Sequence, residues 1–134
     1  MIRNRQSKAN VERGQAMVEF AIIVPVLLTV VLAILQLGVV YNNWVTLTDA
    51  ARAGARRGAV CRSGCSPSAS AATVDAVKKS AANLNQAKLG VAVTSTWVQG
   101  TDVKVEATYP WSLNIMGIVV TSGTMKATTS ERLE

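Results

Sequence analysis

Polar and apolar positions divide the chain into three unlike stretches. Met1 to Arg13 is polar and basic, with Arg3, Arg5, Lys8 and Arg13 set against Glu12. From Phe20 to Thr48, 29 residues pass without a charged side chain. Within them Phe20–Tyr41 reads FAIIVPVLLTVVLAILQLGVVY, where Thr29 and Gln36 are the polar members. Twenty-two helical residues extend roughly 33 Å at ~1.5 Å each. A bilayer core is about 30 Å thick and takes ~20 apolar residues. The run is apolar on every face, and the 93 residues after Tyr41 are too few to wrap it. The pattern therefore predicts a membrane-spanning helix rather than the core helix of a soluble globule. Pro25 cannot donate to the preceding turn, so a bend is expected there. Gln36 is expected to bond across a helix interface or back to its own backbone. The leading basic cluster favours a cytoplasmic amino terminus. Arg52, Arg56, Arg57 and Arg62 oppose it from farther along the chain.

After the span the periodicity stays helical to Val60. Leu47, Ala50, Ala51 and Gly54 recur at spacings of three and four, among alanines that favour helix. Arg52 and Arg56 share one face, suited to a partner carboxylate, an anionic lipid or solvent. Ser66 to Ala72 is a small-residue linker containing Pro67. A second helix is predicted over 71–89, with Val74, Val77, Ala81, Leu84 and Lys88 in register, Thr73 or Ser70 as cap and Gly90 as stop. Alternation then predicts strands over Val91–Val98 and Val103–Tyr109, joined by the turn Gln99-Gly100-Thr101-Asp102. Pro110 is expected to end the second strand. LNIMGIVV, within Ser112–Thr121, is too short to span a bilayer and reads as a loop or short helix over the sheet. Gly123–Ser130 is expected to add an edge strand, with Trp97, Tyr109 and Trp111 packed between helix and sheet.

The expected fold class is α+β: a long N-terminal transmembrane helix continuing into a stem, with a small extracytoplasmic head of one helix and two to three antiparallel strands. The expected divisions are 1–14, a basic cytoplasmic leader; 15–60, the span and stem; 61–72, a cysteine-bracketed linker; and 73–134, the head.

Composition narrows the chemistry. The chain is 49 % hydrophobic and 16 % charged and has no histidine, so the commonest general base and metal ligand is missing. Its acids fall in sequence contexts that assemble no catalytic group, and no enzyme activity, cofactor or metal is expected. The formal charge is +6, but half of it lies in the leader, and nucleic-acid binding is not expected. Cys61 and Cys65 are the two cysteines. They suit a disulfide outside the cytoplasm, with free thiols or a redox pair as alternatives. Two thiolates alone do not complete a zinc site.

The residues before the span carry the most specific signal. Arg13-Gly14-Gln15-Ala16-Met17-Val18-Glu19-Phe20 ends a charged leader on glycine and places a glutamate at the edge of the apolar run. A carboxylate there requires compensation, or serves as a favourable charge at a helix N-terminus. This arrangement resembles the class III signal of type IV pilins and pseudopilins. The resemblance implies cleavage by prepilin peptidase between Gly14 and Gln15, with the apolar helix retained. Glu19 then becomes the fifth residue of the processed chain, compensating a neighbour's free amino terminus. Residues 13–38, together with ARAGARRGAV at 51–60, resemble the TadE-like pilus assembly proteins. The shared features are Val18, Glu19, Phe20, Ala21 and Pro25, then Ala51, Arg52, Gly54, Ala55 and Arg56. The family implies a minor pseudopilin of the Flp (Tad) type IV pilus system, in the bacterial cytoplasmic (inner) membrane. Its implied partners are prepilin peptidase, other pilins or pseudopilins, the inner-membrane assembly machinery and the lipid bilayer. An anchored partner-binding protein that keeps its leader is the alternative.

Overall fold

A computed structural model describes residues 3–61, 65–115 and 117–134, with side chains described from Gly14 onward. Helix α1 runs Arg3–Val60 over 58 residues, unbroken through Pro25. Helix α2 spans Ala69–Ser80. Three strands follow: β1 Gly90–Thr94, β2 Asp102–Ile115 and β3 Ile118–Arg132. They form one antiparallel sheet in the order β1-β2-β3. The α+β architecture follows: a long apolar helix, then a small unit with one further helix and three antiparallel strands.

The last third of α1 is itself the central helix of that unit. Leu47, Ala50, Ala51 and Ala55 are fully buried. They form one cluster with Val77 and Ala81 of the α2 region, Val103, Val105 and Ala107 of β2, and Met125 and Ala127 of β3. ARAGARRGAV thus has a packing reason. Its small residues Ala51, Gly54, Ala55, Gly58 and Ala59 are buried, and Arg52, Arg56 and Arg57 point to solvent. Gly54 lies directly against Val77 and Gly58 against Thr73 and Val103, leaving no room for a Cβ at either position. Arg52 reaches Asp49 at 3.7 Å on the surface.

Several boundaries differ from the sequence expectation. Helix α2 starts and ends earlier than 71–89. Its cap is Ser68, which accepts the Ala71 N–H. Thr73 is buried and bonds the Ala69 carbonyl. Past Ser80 the chain turns because side chains replace the helical ladder. The Gln86 amide donates to the carbonyls of Ala81 at 2.7 Å and Leu84 at 3.2 Å, and Asn85 Oδ1 accepts the Ala87 N–H. Such local bonds compete with helix continuation. Leu84 and Leu89 still reach the core, which explains why their spacing resembled a helix. Gly90 opens β1 instead of stopping a helix.

β1 ends at Thr94 rather than Val98. The Ser95 hydroxyl takes the Trp97 N–H, and Trp97 turns out of the extended region at φ 55°. Gly100, at φ 81°, forms the expected turn. Pro110 does not end β2. It pairs with Thr124 of β3, two residues beyond the last β1 pair at Gly90–Thr108. One side of β2 has no strand neighbour there, and a missing donor is tolerated on such an edge. Apart from Met116, which lies outside the described residues, the apolar stretch expected as a loop or short helix belongs to the paired ends of β2 and β3. Ile115 pairs with Ile118, with a register shift at Leu113/Asn114 and Gly117 at φ 88°. Register carries the alternation onward, so Tyr109 and Trp111 share the inner face with Val103, Val105 and Ala107. Trp97, Tyr109 and Trp111 are half-buried against the core.

Candidate functional site

Nothing among the described residues assembles a metal centre of three or more His, Cys, Asp or Glu groups. Among the described residues, Lys79–Asp75 at 2.8 Å, Lys126–Glu106 at 2.7 Å and the Arg52 contact above are ion pairs at the surface. The feature that dominates the molecule is the free length of α1. Within Gly14–Val60 the most apolar window has mean hydropathy 2.8, and none of it is buried inside the protein. Phe20, Ile22, Ile23, Val26, Leu27, Ile34 and Leu35 all stand exposed. A soluble core helix hides such residues. This one is long and apolar enough to cross a membrane and leaves its surface for a non-aqueous partner.

The residues singled out before the span lie along this exposed helix. Gly14 is helical, and a Cβ there would meet nothing within 4 Å. One turn on, the Gln15 side-chain amide donates to Glu19 Oε1 at 3.2 Å. Glu19 and Phe20 are exposed. Pro25 sits in the helix interior, where the Thr29 hydroxyl donates to its carbonyl at 2.8 Å. Gly14, Gln15, Glu19, Phe20 and Pro25 therefore lie on a single element, clear of the sheet. Cys61 and Cys65 are joined at the far end of α1, with Cα atoms 5.5 Å apart. Cys61 is buried. The intervening Arg62, Ser63 and Gly64 lie outside the described residues.

One contact was not anticipated in its form. Within the chain Gln36 bonds the sheet rather than its own backbone. Its amide meets the backbone of Asn114 on β2 from both sides: Oε1 accepts the Asn114 N–H at 2.9 Å, and Nε2 donates to the Asn114 carbonyl. Asn114 lies on the stretch of β2 that has no β1 neighbour, so the glutamine acts as a one-residue strand partner. The available sequence signal was a lone amide in a strongly apolar run. Above it, an open cleft of about 430 Å³ separates α1 from β2, lined by Leu35, Gln36, Val39, Lys88, Trp111 and Ser112. A second, more apolar cleft of about 450 Å³ lies among Leu37, Val40, Tyr41, Trp44, Trp111 and Met125.

Comparison with known proteins places the first part of this helix. Residues 14–56 match the family model described as TadE-like protein. The match covers the exposed apolar length and most of the small-residue face packed against α2, and it is a likeness over that part of the chain. No curated protein and no solved structure matches the chain.

Proposed function

We propose that this TadE-like chain is a minor pseudopilin or pilus assembly component of a Flp (Tad) type IV pilus or related secretion system. It sits in the bacterial cytoplasmic membrane, with the amino terminus inside and the sheet outside. Prepilin peptidase removes residues 1–14, and α1 remains as the anchor. The protein then acts through helix packing and protein–protein contacts rather than catalysis. The observation that carries this reading is the TadE-like match, which begins at Gly14 and follows the exposed apolar surface of α1.

The physical logic runs through Glu19. An ionised carboxylate beside hydrocarbon needs a compensating charge. Cleavage after Gly14 creates a free amino terminus at Gln15, one helical turn away. In an assembly of parallel helices, that ammonium on one subunit can meet Glu19 of the next. The apolar side chains around the two groups would then exclude water and strengthen the pair.

The test is the intact mass and amino-terminal peptide of the chain recovered from native membranes. Processing gives a chain starting at Gln15. It also gives a retained leader in Gly14→Val and in cells lacking the peptidase. A chain that keeps Met1–Gly14 in cells with active peptidase overturns the processing mechanism. That result favours a single-pass anchored partner-binding protein, a reading compatible with Gly14 lying inside a continuous helix from Arg3.

A further inference from the structure

We propose that the paired ends of β2 and β3, Leu113–Ile115 and Ile118–Val120, called the tip below, insert into the outer leaflet of the bilayer beside α1, so that the protein enters the membrane at a second point. The inference rests on α1 crossing the membrane with the sheet outside, as proposed above, and is independent of leader cleavage and of pilus assembly.

The first support is position. β2 runs antiparallel to α1 along its length. Gly58 faces Val103, and Gln36 holds Asn114. From Gly58 back to Gln36 the helix covers roughly 33 Å at ~1.5 Å per residue. From Val103 to Asn114 the strand covers about 36 Å at ~3.3 Å per residue. The two paths match, so the strand descends beside the helix into the apolar run. Gln36 lies five residues inside Tyr41, about 7 Å down the helix axis. Asn114, and Val119 opposite it in the register, therefore sit at the depth to which interfacial elements bury their apolar faces, about 5–10 Å, with Ile115 and Ile118 one residue deeper.

The second support is chemistry. Ile118, Val119 and Val120 are 71 %, 58 % and 61 % exposed. Three consecutive branched apolar residues at the end of a hairpin are a poor match for water. An open strand edge in lipid is costly unless its polar groups are paired. Gln36 pairs both backbone groups of Asn114 on the edge of β2 that lacks a strand neighbour.

The third support is the aromatic level above the tip. Tyr41 and Trp44 lie with ring centroids 6.0 Å apart. Trp111 joins them around one cleft, and Lys88 lies with Trp111 at the neighbouring one. Tryptophan, tyrosine and lysine gather where headgroups meet hydrocarbon. Here they sit just on the outward side of Gln36 and the tip.

The experiment uses the full chain, one copy per nanodisc of mixed phosphatidylethanolamine and phosphatidylglycerol, with a nitroxide at Val119→Cys. The background is Cys61→Ser/Cys65→Ser, checked against the native chain by circular dichroism. Val26→Cys marks mid-span and Gln99→Cys the far turn of the sheet. Insertion makes the Val119 label several-fold more accessible to oxygen than to a nickel chelate, as at Val26, with the order reversed at Gln99. Chelate accessibility at Val119 equal to that at Gln99 overturns the proposal. So does shielding from both reagents that appears only with two chains per disc, which would assign the tip to a second copy. A water-accessible Val26 label overturns the anchor itself, and the insertion with it. A second readout leaves the native cysteines in place. Val119→Trp must add fluorescence that acyl-brominated lipid quenches, and its escape from quenching overturns the proposal independently.

Discussion

Gly54 of α1 and Val77 of α2 are in direct contact, and a Cβ built on residue 54 collides with Val77 Cγ2. That one approach sets how closely the two helices pack. It explains a glycine in a stretch otherwise rich in alanine, where glycine costs up to about 1 kcal/mol of helix propensity.

Gly54→Ala is therefore expected to destabilise the fold despite its better propensity. Overpacking costs about 1–3 kcal/mol against that gain. Gly38→Ala is the comparison, because a Cβ there meets nothing within 4 Å. Thermal unfolding of the full chain in detergent, followed by near-ultraviolet circular dichroism, should show a lower midpoint for Gly54→Ala only. Equal midpoints would show that α2 can move aside freely.

Gln36→Leu keeps the helix apolar and removes the partner of Asn114. Losing such hydrogen bonds costs about 0.5–1.5 kcal/mol each. Hydrogen exchange should accelerate at Asn114 and Val119, which face each other in the register, and remain slow around Leu47. Unchanged protection at the tip would mean the amide contributes no restraint.

Gln86→Ala removes the side chain that bonds the Ala81 and Leu84 carbonyls. The expected loss is about 1–2 kcal/mol, in the range of a helix-end cap. It should appear as faster exchange across 78–86 and not in β2. A global loss with no local change would contradict this assignment.

The pair Cys61–Cys65 closes a very short loop. In the chain-entropy account its contribution is about 2 kcal/mol. Cys61→Ser/Cys65→Ser should lower the denaturation midpoint modestly and leave the secondary structure intact. Adding reductant to the native chain should reproduce the shift. A collapse of the sheet on reduction would show that the bond does far more than close its own loop.

Periodicity identified elements wherever one side chain pattern had a single physical solution. The run from Phe20 to Tyr41 has no polar face, so it had to be an exposed apolar helix. Leu47, Ala50, Ala51 and Gly54 then continued it as a one-sided stripe, and their burial follows from that spacing. Val103, Val105 and Ala107 alternate cleanly and became the inner face of β2. The signal failed where local side-chain bonds or a missing neighbour decided the outcome. Leu84 keeps helical spacing after a helix that Gln86 and Asn85 have already ended. Pro110 looks like a terminator but is tolerated because β1 stops beside it.

The candidate site divides in the same way. Gly14, Gln15, Glu19, Phe20 and Pro25 are singled out by their order along the chain and their distance from its apolar run, and all five lie on α1. Local pattern alone gives that helix, its basic amino-terminal stretch and the small-residue face that follows. Packing in three dimensions makes the same helix the core of the α+β unit and brings Asn114, near the end of β2, back to Gln36. The reason is that helix and strand patterns are local, recurring every few residues. The contact between residues 36 and 114 depends on a 14-residue strand matching the rise of a helix it meets only after folding.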